Sequence, residues 1–546
     1  MSCYSKIFEK SNEFLSLGKS INPVGMPVGA TGVSDSIKAH LIHSLMELKK
    51  NKALILMPDE ASAVRMSENL GSLQDGVLFY PAREFTFQQV AGVSHEFEHI
   101  RLGVLSKIVK GEYSAVVCSV NAACQKTMPP ENLKSLSLEI KDGDTVDVDR
   151  IAEQLVAAGY SRYDQVDGTS QFAIRGGIID VFPPGASEPA RIELWGDMID
   201  GIASFDIATQ RRTGSLDKID IIPANEVLFK SNEKFAKSIE ALADSLKGKA
   251  IKARENLYAD AEILNNGGSL PCNDKYLPLA YNSNGIFDYL DGLLFVCESA
   301  KVKEKANNQQ KLMEEQIKWY LDSGNLCKGI DKFTVDFEEL KEVYSNSGAV
   351  YLDSLPRGSF DTPVSHLSSF TVQSFNAWNG TMEQLSEDIK PLYDRGYTIC
   401  IMAGTSRACK ALQYDLNEAG FNAVYFEKTP AEFPKGTVSI VSGSLNAGFQ
   451  VSDLSFALIT HTKAIQKKKK NKGVNSKNAI HSLDELSVGD YIVHNVHGIG
   501  VFEGIHALEL NKVKKDYIKI SYAKGDTLYV PVTQLDLVSK YIGATL

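Results

Sequence analysis

The segment VGATGVSDSIKAHLI, residues 28–42, has the outline of a strand, a glycine-containing loop and a helix. A phosphate-binding loop of the form GxxxxGK[ST] uses bare backbone amides to hold phosphate, a lysine to neutralise it and a hydroxyl to bind magnesium. On that frame Gly29 is the first glycine and Ser36 the hydroxyl, while Ser34 replaces the second glycine and Asp35 replaces the lysine. The sequence therefore predicts the scaffold of a nucleotide loop without its phosphate chemistry.

The charge at position 35 weighs most against nucleotide binding. At an effective dielectric constant of ~20, a lysine about 4 Å from a phosphate charge attracts it by about 4 kcal/mol, and an aspartate repels it by a similar amount. The later strand LLFVCES, residues 293–299, ends in Cys297 and Glu298 rather than in the acidic pair that orders magnesium. We expect no catalytic residue, no metal and no ATP cofactor in this chain. The alternative is that GATG, which contains Gly32, is a strand-to-helix turn that never held phosphate.

Bulk properties indicate a multidomain globular protein. The 546 residues exceed one compact core and predict three to five domains. A formal charge of -10 gives no overall basic field, so any contact with nucleic acid needs a local basic patch. The eight cysteines show no zinc-type spacing and no CxxC pair, and no run of ~18 apolar residues occurs. We therefore expect reduced thiols and a cytoplasmic protein.

The pattern of apolar residues changes along the chain. KALILM (52–57) and YSAVVCSV (113–120) are typical of buried parallel strands, and GLLFVCES (292–299) is a third that would complete the same sheet. From about residue 138 to 223 the pattern is alternating and turn-rich, as in antiparallel strands. A second Rossmann-like unit follows from about residue 351, and the chain closes in a small antiparallel barrel. The fold class is thus multidomain α/β, with a degenerate P-loop, helicase-like parallel sheet and a β-rich α+β insert.

Two segments carry a resemblance to a known family. QFAIRGGIIDVFPPG (171–185), with the rest of residues 159–226, resembles the region that the excision-repair protein UvrB shares with bacterial transcription-repair coupling factors. VGDYIVHNVHGIGVFEGI (488–505) resembles the CarD-like, Tudor/SH3-like module with which coupling factors contact RNA polymerase. The order of the modules supports the same family. The resemblance implies that this chain is the amino-terminal half, and that the ATP- and magnesium-dependent translocase motor lies outside it.

The resemblance assigns a role to each predicted domain. The chain is expected to contain a helicase-like domain 1a, a UvrA-binding domain 2, a domain 1b that completes the first sheet, a Rossmann-like domain 3, a basic linker and an RNA-polymerase-interacting domain. Their predicted ranges are, in that order, 1–126, 127–212, 213–335, 345–463, 464–486 and 487–546.

The resemblance also suggests residues for UvrA binding. The matching surface of the insert contains Arg162, Arg175 and Phe182. An exposed arginine can bond to carboxylates of a partner, and a semi-exposed aromatic ring can anchor in a pocket. The alternative is that both arginines are only solvated and that Phe182 belongs to the core.

For RNA polymerase, the resemblance points to the β subunit. IHALEL (505–510) and YIKISYA (517–523) suit neighbouring strands, and an unpaired strand edge can accept a strand from another protein. Leu508 is the expected apolar contact, with Ile505 beside it; the alternative places both in the barrel core. We assign no chemistry to His494 and His497, because no third ligand is near them.

Three functions follow as hypotheses. The first is an adaptor that links stalled RNA polymerase to UvrA. The second is a nucleic-acid-dependent ATPase whose altered loop still works. The third is a double-stranded DNA binder that uses the lysine run 467–470, otherwise a solvated linker, although the family binds double-stranded DNA mainly through its motor.

Overall fold

A computed structural model describes residues 1–88, 95–246, 248, 250–379, 381–461, 486–494, 498–510, 513–522, 527–532 and 537–541. In this part of the chain the structure has five β-sheets, of seven, six, two, six and five strands. The prediction of a multidomain α/β protein is confirmed. None of the helices among these residues is both long and apolar enough to cross a membrane. All eight cysteines are free and buried.

The amino-terminal part alternates strands with helices, as predicted. KALILM forms a strand buried on both faces, and its side chains alternate between two hydrophobic cores on the two sides of the sheet. The elements are β1 (Val28–Thr31), β2 (Ala53–Met57), β3 (Val77–Tyr80), β4 (Ala115–Ser119), α1 (Cys3–Lys6), α2 (Asn12–Ser20), α3 (Asp35–Lys49), α4 (Glu60–Gly71), α5 (Glu96–Lys110), α6 (Val120–Cys124) and α7 (Pro130–Leu136).

The next part is the predicted β-rich unit. Its elements are β5 (Leu138–Lys141), α8 (Val148–Ala157), β6 (Ser161–Arg162), β7 (Gln171–Arg175), β8 (Ile178–Val181), β9 (Ala190–Trp195), β10 (Met198–Phe205), β11 (Arg212–Leu216) and β12 (Lys218–Ile221). The six-stranded sheet has the order β11-β10-β9-β8-β7-β6, and its pairs are antiparallel except for β6 with β7. Because β12 pairs with β5, the unit extends beyond residue 212, where the sequence predicts its end.

The chain then returns to the first sheet. Its elements here are α9 (Asn232–Ser245), α10 (Ile251–Asn265), α11 (Leu277–Ala280), β13 (Leu293–Cys297), α12 (Ser299–Ser323), α13 (Phe337–Asn346), β14 (Val350–Leu352) and β15 (Leu367–Ser369). The parallel sheet has the order β15-β1-β14-β13-β2-β4-β3, which confirms that β13 completes it. The sequence predicts that the second α/β unit begins at residue 345. This boundary is too early, because β14 and β15 both pair with β1 in the first sheet.

The second α/β unit begins with an antiparallel edge strand. Its elements are β16 (Gln373–Asn376), α14 (Met382–Asp394), β17 (Thr398–Met402), α15 (Ser406–Glu418), β18 (Ala423–Phe426), β19 (Val438–Val441), β20 (Ala447–Val451) and β21 (Phe456–Thr460). The order is β16-β20-β21-β17-β19-β18, and the last four strands are mutually parallel. Buried residues of this sheet share one hydrophobic core with α3 and the first sheet.

The carboxyl-terminal sheet is antiparallel throughout. Its strands are β22 (Tyr491–His494), β23 (Gly498–Leu510), β24 (Val513–Ser521), β25 (Thr527–Pro531) and β26 (Val538–Lys540), in the order β25-β24-β23-β22-β26. Alternate residues such as Ile518 and Ile520 of β24 are fully buried and form a small core of their own. Four short 3-10 helices complete the described structure, at Ile7–Lys10, Asp274–Tyr276, Gly285–Tyr289 and Ser452–Leu454.

Candidate functional site

Residues 29–36, here called the first-domain loop, comprise the end of β1, a short turn and the amino terminus of α3, as the sequence predicts. Gly32 has a left-handed backbone with φ +71°, and a Cβ atom on it would lie 1.9 Å from the carbonyl oxygen of Phe370. The Phe370 amide donates to the carbonyl oxygen of Thr31 at 2.9 Å. The segment between β15 and β16 therefore lies directly against this loop.

Three serine hydroxyls meet where β16 touches the loop. The Oγ atoms of Ser36 and Ser374 are 2.6 Å apart, and each lies 2.9 Å from the Oγ of Ser34. Ser36 occupies the position whose hydroxyl binds magnesium in a working phosphate loop. Here that hydroxyl is bonded to the first strand of the second α/β sheet.

A lysine does stand beside the loop, one turn later in α3 than the motif requires. The side chain of Lys38 is 0% exposed, and its Nζ lies 2.7 Å from Asp35 Oδ1 and 2.5 Å from Glu298 Oε1. It also donates to Ser354 Oγ at 2.9 Å. Burial acts to lower the pKa of Lys38, but the carboxylates, Asp35 foremost, outweigh it and hold the pKa above its usual value.

The predicted electrostatics of the loop therefore need correction. Asp35 is not an unopposed negative charge in the place of a cation, because the Lys38 ammonium lies against it. Partial desolvation acts to raise the pKa of Asp35, whose side chain is itself 81% exposed, but the neighbouring Lys38 lowers the pKa overall. The sequence signal for this pair is the spacing of Asp35 and Lys38 in DSIK, since residues three apart lie on one face of a helix.

Carboxylates at the ends of two neighbouring strands are also engaged within the protein. Glu298 follows β13 and accepts hydrogen bonds from the amide and hydroxyl of Ser354 as well as from Lys38. Asp353 follows β14, and accepts from the Ser299 amide at 2.8 Å and from Arg357 at 3.0 Å. Sequence reasoning missed Asp353, because β14 is only three residues long. The groups around the first-domain loop thus satisfy one another.

The β-rich unit has two faces of different character. One face packs under α8, whose Ile151 and Leu155 belong to the core of the unit. The opposite face carries Arg175, Asp180, Arg191, Glu193 and Trp195, and is called the outer face below. Directly paired residues of neighbouring strands point to the same side, and Arg175, Ile178 and Glu193 are in register across β7, β8 and β9.

The three residues suggested for UvrA binding lie in different environments. Arg162 is exposed on the edge strand β6. Arg175 is half-exposed, and its Nη2 donates to Asp180 Oδ2 at 2.8 Å. Phe182 is 7% exposed and packs with Val166 and Phe205 in a small core. The structure places the two arginines at the surface and Phe182 beneath it, which is the alternative already considered for that ring.

In the carboxyl-terminal sheet, the two segments suggested for polymerase binding pair as neighbouring strands, β23 and β24. Ile505 is opposite Ile518, half-buried, and packs against the core of the sheet. Leu508 is opposite Lys515, while the surroundings of its side chain lie outside the described structure. Among the described residues, β22 pairs with β23 only over 498–501, so one edge of the later part of β23 has no strand beside it.

Other residues singled out in the sequence are quickly placed. His494 is buried at the end of β22. His497 and the lysine run 467–470 lie outside the described residues. Within the described ranges, no group of three or more His, Cys, Asp or Glu side chains is arranged to hold a metal ion.

Comparison with known proteins assigns two parts of the chain to families. Residues 138–227 match the UvrB interaction domain, and residues 486–542 match the CarD-like/TRCF RID domain. The first match covers the β-rich unit with its outer face, including β12. The second covers the carboxyl-terminal antiparallel sheet.

Relatives of known name extend the similarity to the whole chain. The chain is 31% identical to the transcription-repair-coupling factor of Bacillus subtilis (strain 168) over 533 positions, covering 94% of this chain and 45% of that protein. It is 27% identical to the transcription-repair-coupling factor of Staphylococcus aureus (strain MRSA252), covering 100% of this chain and 47% of the relative. The chain thus spans about half the length of these curated relatives. The resemblance inferred from the sequence is confirmed.

Proposed function

We propose that this chain, which is similar over its length to about half of a transcription-repair-coupling factor, is a docking scaffold for transcription-coupled DNA repair. It binds RNA polymerase through its carboxyl-terminal sheet and recruits UvrA of nucleotide excision repair through its β-rich unit. One observation carries the proposal: a single chain matches the UvrB interaction domain at 138–227 and the CarD-like/TRCF RID domain at 486–542, and an α/β region lies between them. Eight buried free thiols support a cytoplasmic location.

The proposed UvrA contact is the outer face, with Arg175 as its charged contact. Arg162, which pairs with Phe172 on the edge strand β6, is a second proposed contact at the border of the α8 side of the sheet. Arg175→Glu is expected to weaken binding of purified UvrA more than tenfold in calorimetry, because a guanidinium that bonds partner carboxylates becomes a repelling charge. Arg150→Glu, on the exposed side of α8, is the matched control and should bind as the parent does. Unchanged affinity in Arg175→Glu, with a folded protein by circular dichroism, would reject this contact.

The proposed polymerase contact is the open edge of β23, to which the β subunit adds a strand, on a sheet that closes as a Tudor-like barrel. Strand addition supplies backbone hydrogen bonds, and a side chain such as Leu508 fills a pocket. Leu508→Glu should abolish binding of RNA polymerase in a pull-down while the circular dichroism spectrum stays unchanged. Val424→Glu, on the edge strand β18, is the control. Loss of the folded spectrum would assign Leu508 to the core instead.

We further propose that this chain does not turn over nucleotide, and that the ATP-driven motor of the family, with its double-stranded DNA contacts, lies outside it. Support comes from the first-domain loop, where Lys38 is neutralised by Asp35 and Glu298 and the Ser36 hydroxyl is bonded to Ser374. Titration with ATP, with and without magnesium, should give no saturable binding. Steady phosphate release by the purified chain would favour the ATPase hypothesis. Steeply salt-dependent binding to duplex DNA would favour the third.

A further inference from the structure

The hairpin between β9 and β10 exposes two large apolar side chains. Trp195 is 77% exposed and Met198 is 44% exposed, and they form a cross-strand pair on either side of Gly196 and Asp197. The tryptophan ring has a large apolar area, and tryptophan is enriched among the residues that dominate binding energy at protein interfaces. The ring of Trp195 lies outside both hydrophobic clusters of the unit, so it does not contribute to a hydrophobic core.

Register places Trp195 on the same face as Arg175. Arg175, Ile178 and Glu193 form one row across three strands, and Trp195 is two residues beyond Glu193 on β9. Side chains two apart on a strand point to the same side, and strands lie about 4.8 Å apart with about 3.3 Å per residue. The Cα atoms of Arg175 and Trp195 are therefore separated by roughly 12 Å. One partner surface of ordinary size covers both.

The charges next to Trp195 specify what kind of surface fits it. Asp180 is buried and accepts from two arginines, at 2.8 Å from Arg175 Nη2 and 2.7 Å from Arg191 Nε. Two positive charges share one carboxylate, and Glu193 on the same face is paired with Arg212, so this part of the outer face keeps one positive charge. Arg175 is the more exposed of the two arginines and has donors left to give. A fitting partner presents carboxylates toward Arg175 and an apolar pocket beside them.

We propose that Trp195 is the apolar anchor of the docking surface that contains Arg175, and that its occupant is the protein bound by the interaction domain, through an apolar pocket bordered by carboxylates. This inference rests on the proposed function, which names that occupant as UvrA. Arg175 supplies orientation and charge, and Trp195 supplies the buried area. Met198 widens the anchor on the neighbouring strand.

The test measures binding of purified UvrA to the whole chain by calorimetry. Trp195→Ala is expected to weaken binding at least tenfold, and Trp195→Phe to weaken it less, because a smaller ring keeps part of the contact. Trp319→Ala is the matched control, since Trp319 is 57% exposed but lies on α12 in the first α/β unit. Thermal unfolding of each variant should match the parent, because none of these rings is in a core.

A second readout follows the ring itself. The chain has three tryptophans, so Trp319→Phe combined with Trp378→Phe leaves Trp195 as the sole indole. Its emission should shift to shorter wavelength on addition of UvrA and become protected from a soluble quencher. Arg175→Glu separates the two levels of the proposal. If Arg175→Glu weakens binding and Trp195→Ala does not, the anchor is refuted and the docking function stands. If the parent binds no UvrA, the proposed function fails with it.

Discussion

The first-domain loop and the outer face of the β-rich unit use charged residues in opposite ways. At the loop, the buried Lys38 lies against the largely buried Glu298 and the exposed Asp35, and it donates one more hydrogen bond to Ser354 Oγ. On the outer face, Arg175 shares one carboxylate with Arg191 and remains half-exposed. A buried, internally satisfied ion pair leaves nothing for a ligand, whereas an exposed and under-satisfied one can bind a partner. The comparison separates a region whose charges stabilise the fold from the surface that is proposed for docking.

Helix α3 packs against both α/β sheets. His40 of α3 packs edge-on against the rings of Tyr4, Phe8 and Phe449, the last of which belongs to β20 of the second sheet. Helix α3, which follows the first-domain loop, thus lies between two α/β sheets that share a hydrophobic core. The first-domain loop and α3 therefore stabilise the fold, whereas the outer face is proposed to bind a partner.

The largest effect is expected for Glu298→Ala. The change leaves the ammonium of Lys38 buried with one carboxylate fewer, and breaking a buried ion pair costs about 3–5 kcal/mol of unfolding free energy. Urea unfolding followed by circular dichroism measures it. Glu139→Ala is the control, because that carboxylate pairs with exposed lysines and should have little effect. Equally small effects of the two substitutions would mean that the buried contact between Lys38 and Glu298 does not stabilise the fold.

Acid should lower the unfolding free energy through His40, which packs between α3 and the second sheet. Burial lowers the pKa of His40 to about 3, and its Nε2 lies 2.7 Å from the carbonyl oxygen of Tyr4. Because the unfolded chain binds a proton near pH 6.5 and the folded chain does not, stability is lost as pH falls below about 6.5. Between pH 7 and pH 5 this amounts to about 2 kcal/mol.

The measurement compares His40→Gln with the parent across that pH range. The variant should show the shallower loss of unfolding free energy. The comparison must be made against the parent, because burial also lowers the pKa of His99, to about 4, and acts in the same direction. Parallel pH profiles for the two proteins would contradict the assignment to His40.

Gly32→Ala should disturb the contact between the loop and the segment before β16. A methyl group there meets the Phe370 carbonyl oxygen and also sits at positive φ, so the expected cost is about 2 kcal/mol. Gly143→Ala has a similar φ of +82° with nothing within 4 Å, and should cost about 1 kcal/mol or less. The difference between the two unfolding free energies isolates the close approach, and equal costs would show that Phe370 yields.

The smallest effect on stability is expected on the outer face. Arg175→Ala removes a half-exposed arginine whose carboxylate partner keeps Arg191, so the unfolding free energy should change by less than about 1 kcal/mol. The proposed function assigns its main effect to UvrA binding instead. A loss of unfolding free energy comparable with that of Glu298→Ala would show that Arg175 stabilises the fold as strongly as the charges at the first-domain loop do.

Several features were predictable because they are local. Apolar runs such as KALILM and LLFVCES gave buried strands at β2 and β13, since a strand covered on both faces by helices needs an unbroken apolar segment. Alternation and glycine-marked turns gave the antiparallel sheets. The loop outline at residues 28–42 was also correct as strand, loop and helix.

Other features failed because a local pattern does not identify its partner. The sequence assigned residues from about 351 to the second α/β unit, because a short segment does not reveal that β14 pairs with β1 and β13 of the first sheet. The spacing of Asp35 and Lys38 is visible in the sequence, but the second carboxylate partner of Lys38, Glu298, is 260 residues away and could not be identified. Trp195 was read as part of an alternating strand, and only the register with β8 shows which face its side chain occupies.

The sequence by itself determined the order of modules, the strand-rich and helix-rich segments, and the aspartate at position 35 of the first-domain loop, because each depends on residue types within a short window. Tertiary structure alone decided that Ser374, 338 residues from Ser36, bonds to that loop, and that Lys38 is neutralised while Arg175 is not. The physical reason is that burial and charge compensation are properties of the groups that surround a side chain, and those groups come from distant parts of the chain.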